Sequence, residues 1–368
     1  MLWLLLACTG PGKESEEGGY VWKLPEGFPT PLVPADNPMS EEKVELGRYL
    51  FYDTRLSGNQ TQSCGSCHQP QYGFTDGKAH AEGSTGQIHR RSSMSVVNVG
   101  YFSGLTWASN VVKTLESQAL LPLFGETPVE LGMAGLEEEL FARLAADADY
   151  PARFAAAFPE DQDPINLDNI TKAIASFERS LISGGSPYDQ LQYGGNPSAM
   201  TAEARRGMAL FFSEDLECFH CHQGFAFTDS VQSESTTFEE LLFHNTGLYN
   251  VDGAGAYPAV DQGLYELTGE PTDMGRFRAP SLRNIATTAP YMHDGSIATL
   301  DEVLDHYAAG GRTLTEGENA GVGSSNPYKS EFVTGFTLST EQRADLLAFL
   351  NALTDEEFLN APEVQDPF

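Results

Sequence analysis

Two thiols three positions apart, followed at once by a histidine, occur twice: Cys64-Gly65-Ser66-Cys67-His68 and Cys218-Phe219-His220-Cys221-His222. This is the spacing of covalent haem c attachment. Both thiols add to the vinyl groups of the porphyrin, and the adjacent imidazole reaches the iron from the proximal side. A zinc site would leave two histidines at matching positions without a role. A thioredoxin-like dithiol needs a βαβ setting that the flanking sequence lacks. Two covalent haem c groups are therefore expected, on Cys64, Cys67 and His68 and on Cys218, Cys221 and His222.

The elements that must hold these motifs repeat as well. A helix-like stretch precedes each, at 42–52 and 202–212, and Leu46-Gly47-Arg48-Tyr49-Leu50-Phe51 parallels Arg206-Gly207-Met208-Ala209-Leu210-Phe211. Each motif is followed by Phe-Thr-Asp, at Phe74-Thr75-Asp76 and Phe227-Thr228-Asp229. The pattern reads as a duplicated haem-binding unit. Apolar residues recur at helical spacing over 136–146, 167–182, 300–307 and 340–353, and Ser339 with Glu341 suits the start of the last of these. Alternation of the strand type is sparse, and glycine- and proline-bearing stretches such as 245–275 read as irregular loops. The expected fold class is mainly α: two cytochrome c-like haem domains with long irregular loops. The expected division is a signal and tether over 1–19, an N-terminal haem domain over 20–190, a C-terminal haem domain over 191–355, and a tail over 356–368. The connection falls near 183–198, which is rich in Gly, Ser and Pro.

Composition sets the outer limits. The chain has 368 residues, 40% of them hydrophobic, with 22 Phe and 14 Tyr, enough for two packed domains. No segment has the roughly 20 consecutive apolar residues of a membrane span. A net charge of −31 argues against nucleic-acid binding, which needs basic surface to displace counterions. The fifth cysteine, Cys8, closes the run Leu4-Leu5-Leu6-Ala7-Cys8, which fits the lipobox of a bacterial lipoprotein. The expected location is the bacterial periplasm, with a lipid anchor in a membrane, the outer membrane being favoured.

The segment from Leu46 to Ser57, then the first haem motif, then Gly73 to Gly77, resembles the bacterial di-haem cytochrome c peroxidases and their relative MauG. So do Phe277 to Asn284 and Ala289 to Gly295. The resemblance runs from about residue 35 to residue 353. Two further stretches, Arg91 to Tyr101 and Leu123 to Gly132, resemble the MbnH-type subgroup of MauG-like enzymes.

The resemblance implies roles for particular residues. The peroxidases carry a methionine ligand to the C-terminal haem where this chain has Tyr307, as MauG and MbnH also do. A phenolate is a hard anionic donor that lowers the haem potential. The rivals are His306, whose side chain diverges from its neighbour's by about 100° on a helix, and Met292, which reads as core. Many members place a movable histidine where this chain has Ser84, with His80 and His89 flanking it out of register. The His68 haem is thus expected to be open to peroxide without prior reduction. Glu130, with Gln118 as its hydrogen-bonding partner, matches the family's acid–base pair for O–O cleavage; Glu126 is the runner-up. Trp107 falls where the family puts an aromatic between the haems, serving as relay and core residue together. Thr288 and Pro290 match two carbonyl ligands of the family's calcium ion, and Ser92 stands at the third position, which is Asn in the peroxidases.

The implied activity is a peroxidase-type oxidation (EC 1.11.1-like). Hydrogen peroxide drives the two haems to a bis-Fe(IV) state, which oxidises a tryptophan to kynurenine on a periplasmic, MbnP-like, copper-associated partner protein. One departure is plain. MauG has an exit tryptophan just before its second motif, where this chain reads Asp215-Leu216-Glu217. The alternatives are a hydrogen-peroxide-reducing di-haem cytochrome c peroxidase fed by a small cytochrome, and a di-haem electron carrier that is not an enzyme. The carrier would need both irons six-coordinate, which Ser84 argues against.

Overall fold

The computed structural model describes residues 14–17, 19–238 and 240–368. Cys8 and the signal expected around it lie outside the described residues. Residues 14–17, the end of the expected tether, form β1 (Glu14–Glu17), which pairs antiparallel with β2 (Tyr20–Lys23). The only other strand pair among the described residues is β3 (Thr313–Leu314) with β4 (Gly321–Val322). All else is helix and loop, so the fold is mainly α with long irregular connections.

Two helix pairs carry the architecture. In the first half, α1 (Glu41–Tyr52) lies along α6 (Leu167–Ser180). Between them come α2 (Cys64–Cys67), α3 (Leu115–Phe124), α4 (Glu137–Ala145) and α5 (Tyr150–Ala157). After α7 (Pro187–Gln192), α8 (Ala202–Phe211) lies in the same manner along α11 (Thr340–Asn351). The short α9 (Tyr265–Thr268) and α10 (Leu300–Ala308) fall between these two. Each pair crosses at a glycine. A Cβ on Gly47 would lie 1.9 Å from the Ala173 carbonyl oxygen, and one on Gly207 would lie 1.9 Å from that of Asp345. No other residue allows the two backbones this approach.

Side-chain caps set the helix starts. Ser40, Asn166, Thr201, Thr299 and Ser339 each accept from a backbone N–H of the first turn. At α10 and α11 the cap is reciprocated by Glu302 and Gln342. The N-terminal core gathers Leu46, Leu50, Phe51, Phe154, Ile174 and Phe177; the C-terminal core gathers Phe211, Phe227, Leu346, Phe349 and Leu353. Each such side chain contributes about 1.5–3 kcal/mol by leaving water.

The connection near 183–198 is not a free linker. Ser183 and Ser186 are buried. Asn98 Nδ2 donates to the Ser183 carbonyl at 3.0 Å, Asn284 Nδ2 donates to Ser183 Oγ at 3.1 Å, and Arg283 forks onto Asp189 at 2.7 and 2.8 Å. Nor is the tail loose. α12 (Glu356–Leu359) and the turn after it return to the N-terminal core, where Tyr52 donates its hydroxyl hydrogen to the Val364 carbonyl at 2.6 Å.

Candidate active site

Both Cys-x-x-Cys-His segments are single tight turns, one α-helical and one 3₁₀. His68 Nδ1 lies 3.0 Å from the Phe74 carbonyl oxygen, and His222 Nδ1 lies 3.1 Å from that of Phe227. A carbonyl only accepts, so each Nδ1 carries the proton and each Nε2 keeps its lone pair for a metal. Phe74 and Phe227 both adopt positive φ, 62° and 51°, to aim those carbonyls. Two serines brace the turns alike: Ser95 Oγ donates to the Gly73 carbonyl and Ser281 Oγ to that of Ala226, both at 2.6 Å. Burial lowers the pKa of both imidazoles and so keeps them neutral, the form that binds iron.

A cleft opens beside each motif. The N-terminal one, of about 1910 Å³, is lined by Cys67, His68, His89, Gln118, Glu130 and Glu178. The C-terminal one, of about 1330 Å³, is lined by Cys218, Cys221, His222, Leu304, Tyr307 and Leu350, and is largely apolar. The residues fit haem c. The four cysteines are free thiols rather than disulfides. Arg278 borders both clefts, is buried, and has an Nε with no partner. Among the described residues its guanidinium reaches the Ala279 carbonyl, the Met94 sulfur and the Phe102 ring, and no carboxylate within ion-pair distance. A buried cation without a carboxylate suits the propionates of a porphyrin.

Glu130 and Gln118 both line the N-terminal cleft, with no hydrogen bond between their side chains among the described residues, while Glu126 is exposed and off its wall. Glu130 is placed by two loops pressed together. Ser84 N–H donates to its carbonyl at 2.7 Å, and a Cβ on Gly83 would lie 1.9 Å from the Val129 carbonyl oxygen. Burial raises the Glu130 carboxyl pKa. Ser84 meets this loop through its backbone and does not line the cleft; His80 is exposed.

In the C-terminal cleft the α10 register turns Tyr307 onto the wall and His306 away from it. Burial, with Cys221 and Cys218 nearby, pushes the Tyr307 phenol pKa up. His306 is buried edge-on to it, ring centroids 4.9 Å apart. Met292 reaches the wall as well. Trp107 borders both clefts, and Ser92, Thr288 and Pro290 line one further recess between them.

Three residues of the site were given no role by the sequence. Arg278, described above, lies inside the Phe277 to Asn284 stretch that carries the resemblance, which by itself named no role for it. Glu178 is 5% exposed, has an Oε2 with no partner, and has a pKa raised to about 8 by burial. Its one signal was position, four residues after Ile174 on the apolar face of α6. His244 Nε2 meets Asp229 at 2.5 Å beside Cys221; burial opposes its charge, but the Asp229 bond, with the Cys221 thiol beside it, raises its pKa. His89, out of register with the movable-histidine position, nevertheless lies in the cleft, with Nε2 3.6 Å from Glu130 Oε1.

Two haem c sites with unlike walls, one polar and one closed by a tyrosine, define a di-haem c-type oxidoreductase. The profile described as di-haem cytochrome c peroxidase matches residues 41–197. Cytochrome-c peroxidase IdrP1 of Denitromonas iodatirespirans is 36% identical over 91% of this chain and 88% of its own. The methylamine utilization protein MauG of Methylorubrum extorquens is 34% identical over 91% of this chain and 84% of its own. A crystal structure of a MauG-like protein associated with microbial copper homeostasis superposes with a TM-score of 0.92 at 50% identity, covering 95% of this chain and 99% of that one. The chain therefore belongs to the MauG/di-haem cytochrome c peroxidase family. No helix among the described residues is long and apolar enough to cross a membrane.

Proposed function

We propose that the protein uses hydrogen peroxide to oxidise a side chain on a partner protein. The observation that carries this reading is Tyr307 on the wall of the C-terminal cleft, where an ordinary peroxidase would present methionine. When bound, haem c at the two motifs supplies iron centres that together accept the two oxidising equivalents of one peroxide. Glu130 takes a proton from one peroxide oxygen and returns it to the other, so that water leaves. Gln118 orients the carboxyl, and Arg278 holds the porphyrin carboxylates. Trp107 bridges the walls of the two clefts as the relay. Tyr307 supplies an anionic oxygen donor that favours high oxidation states and disfavours reduction by a small cytochrome.

The finer reading follows the MauG-like relative associated with copper homeostasis. The partner is a periplasmic, MbnP-like, copper-associated protein, and a tryptophan on it is the target. Its conversion to kynurenine inserts oxygen and releases the formyl carbon, so it takes more than one peroxide. A calcium ion held by Thr288, Pro290 and Ser92, and a lipid anchor at Cys8, complete this reading. The second reading, a peroxide-reducing enzyme fed by a cytochrome, is favoured by the likeness to IdrP1. One equivalent of hydrogen peroxide added to the as-isolated diferric holoprotein separates the two. Loss of the ferric Soret band with a new near-infrared band is the expected result. Reaction only after one haem is reduced would overturn it in favour of the second reading.

A further inference from the structure

His89 sits beside Glu130 in a fixed tautomer. The Arg91 N–H donates to His89 Nδ1 at 3.2 Å, so Nδ1 is the acceptor and Nε2 bears the hydrogen. That Nε2–H faces Glu130 Oε1 across 3.6 Å. The gap is longer than a formed hydrogen bond and short enough for a small side-chain movement to close, as catalytic contacts often do when substrate arrives. Burial, with Arg91 and Arg90 close by, holds His89 in the neutral form.

The segment bearing His89 is clamped from both halves of the chain. The His89 N–H donates to the Ala81 carbonyl at 2.7 Å. Arg90 forks onto Glu266 at 2.7 and 2.6 Å, and Arg91 onto Asp261 at 2.6 and 2.7 Å. The Arg91 guanidinium lies over the Phe277 ring, which stacks on His293 at 3.7 Å, and both rings line the C-terminal cleft. A histidine held from three sides is poorly suited to swing onto an iron and well suited to hold one partner.

We propose that His89 is a positioning residue for Glu130, its Nε2–H supporting the carboxylate that accepts the first peroxide proton. The proposal rests on the peroxide reading above. His89 keeps its own proton throughout; the proton that moves passes from one peroxide oxygen to Glu130 and back to the other. The other ionisable or charged groups around the pair are His68, Cys64 and Cys67 on the motif, Glu82 on the same wall, Glu178 on α6, and Arg90 and Arg91 with their carboxylates. None of these offers Glu130 a neutral N–H donor.

The test uses cyanide binding to the ferric N-terminal haem of the holoprotein, followed in the Soret region across pH. Hydrogen cyanide must give its proton to a base in the cleft, so its association rate reports whether Glu130 is ionised, whether or not peroxide reacts. Glu130→Gln is the control that removes the pH-dependent limb. In His89→Ala the limb is expected to move up by about one pH unit, so that the rate on its acid side falls about tenfold. His89→Gln, which keeps an N–H donor, restores most of both, and the peroxide rate follows the same order. An unmoved limb in a His89→Ala protein with full haem content would overturn the proposal. So would a low-spin resting spectrum that turns high-spin in His89→Ala, since that assigns His89 as an iron ligand. Absence of peroxide reaction in the unsubstituted protein, with the cyanide limb shifted as expected, would sink the peroxide reading and leave the His89–Glu130 pairing standing.

Discussion

Trp107 donates its indole N–H to the backbone carbonyl of Ser92 at 3.0 Å. Its own carbonyl accepts the Arg278 N–H at 2.8 Å. One contact comes from the segment after the first haem motif and the other from the segment after the second. The indole is thereby fixed on the wall shared by the two clefts.

Trp107→Phe keeps an aromatic ring in this place but removes the N–H and the easily oxidised indole. Both ferric haem spectra should stay as they are, while the near-infrared band raised by peroxide should be lost. A band of undiminished intensity in the variant would show that the two haems communicate without this ring.

Glu130→Gln leaves the volume of the side chain unchanged and takes away its ability to accept a proton. The second-order rate of the peroxide reaction, read by stopped-flow absorbance, should fall by about 10²–10⁴-fold. Glu126→Gln, exposed and off the cleft wall, should leave it unchanged.

Tyr307→Phe removes the only side-chain oxygen that α10 turns into the C-terminal cleft. The reduction potential of that haem should rise by on the order of 100 mV in a spectroelectrochemical titration. His306→Leu, whose ring points elsewhere, should shift it little. If the two variants behave alike, the ligand is not Tyr307 and Met292 becomes the leading candidate.

Gly47→Ala and Gly207→Ala each place a methyl 1.9 Å from a facing carbonyl oxygen. The helix pair must separate, at a cost of about 1–3 kcal/mol or more. Thermal unfolding followed at the two Soret signals should show each substitution lowering the transition of its own haem unit first.

Glu178 holds its proton in the folded protein up to about pH 8, whereas the unfolded chain loses it near 4.5. Folding therefore takes up a proton between those values. The stability associated with this group is complete below about pH 4.5 and falls as pH rises toward 8, by at most about 1.4 kcal/mol per unit. Glu178→Gln is neutral throughout and lacks this slope. Melting temperatures of the holoproteins at pH 5 and pH 8 should converge or cross in favour of the variant at the higher pH; parallel curves would refute the assignment.

Much of this molecule was legible in the residue order. The helices over 137–145, 167–180, 300–308 and 340–351 followed from apolar spacing, whereas Tyr307 was singled out by the family resemblance, the α10 register only setting its neighbour His306 on another side. α3, which presents Gln118, was not read as a helix: it contains Pro122 and is apolar on more than one side. Glu130 needed the family resemblance, because a single Glu in a loop looks like surface until Gly83 and Ser84 are seen pressed against its backbone. The end of the chain read as a tail because nothing local says that Leu359 and Val364 return to the first core.

By itself the sequence marked the two places that fit a covalent haem. That chemistry is local: two thiols and an imidazole must fall within one turn of backbone, and the spacing says so without reference to the rest of the chain. It also determined, through a repeated glycine and a repeated Phe-Thr-Asp, that one unit is used twice. Only the tertiary structure decided which acids and histidines share a cleft. Glu130 meets His89, and Glu178 comes in beside them from α6, because distant segments are clamped together, Arg90 to Glu266 and Arg91 to Asp261 among them. Ionisation depends on burial and on distances between such segments, and neither quantity exists until the chain has folded.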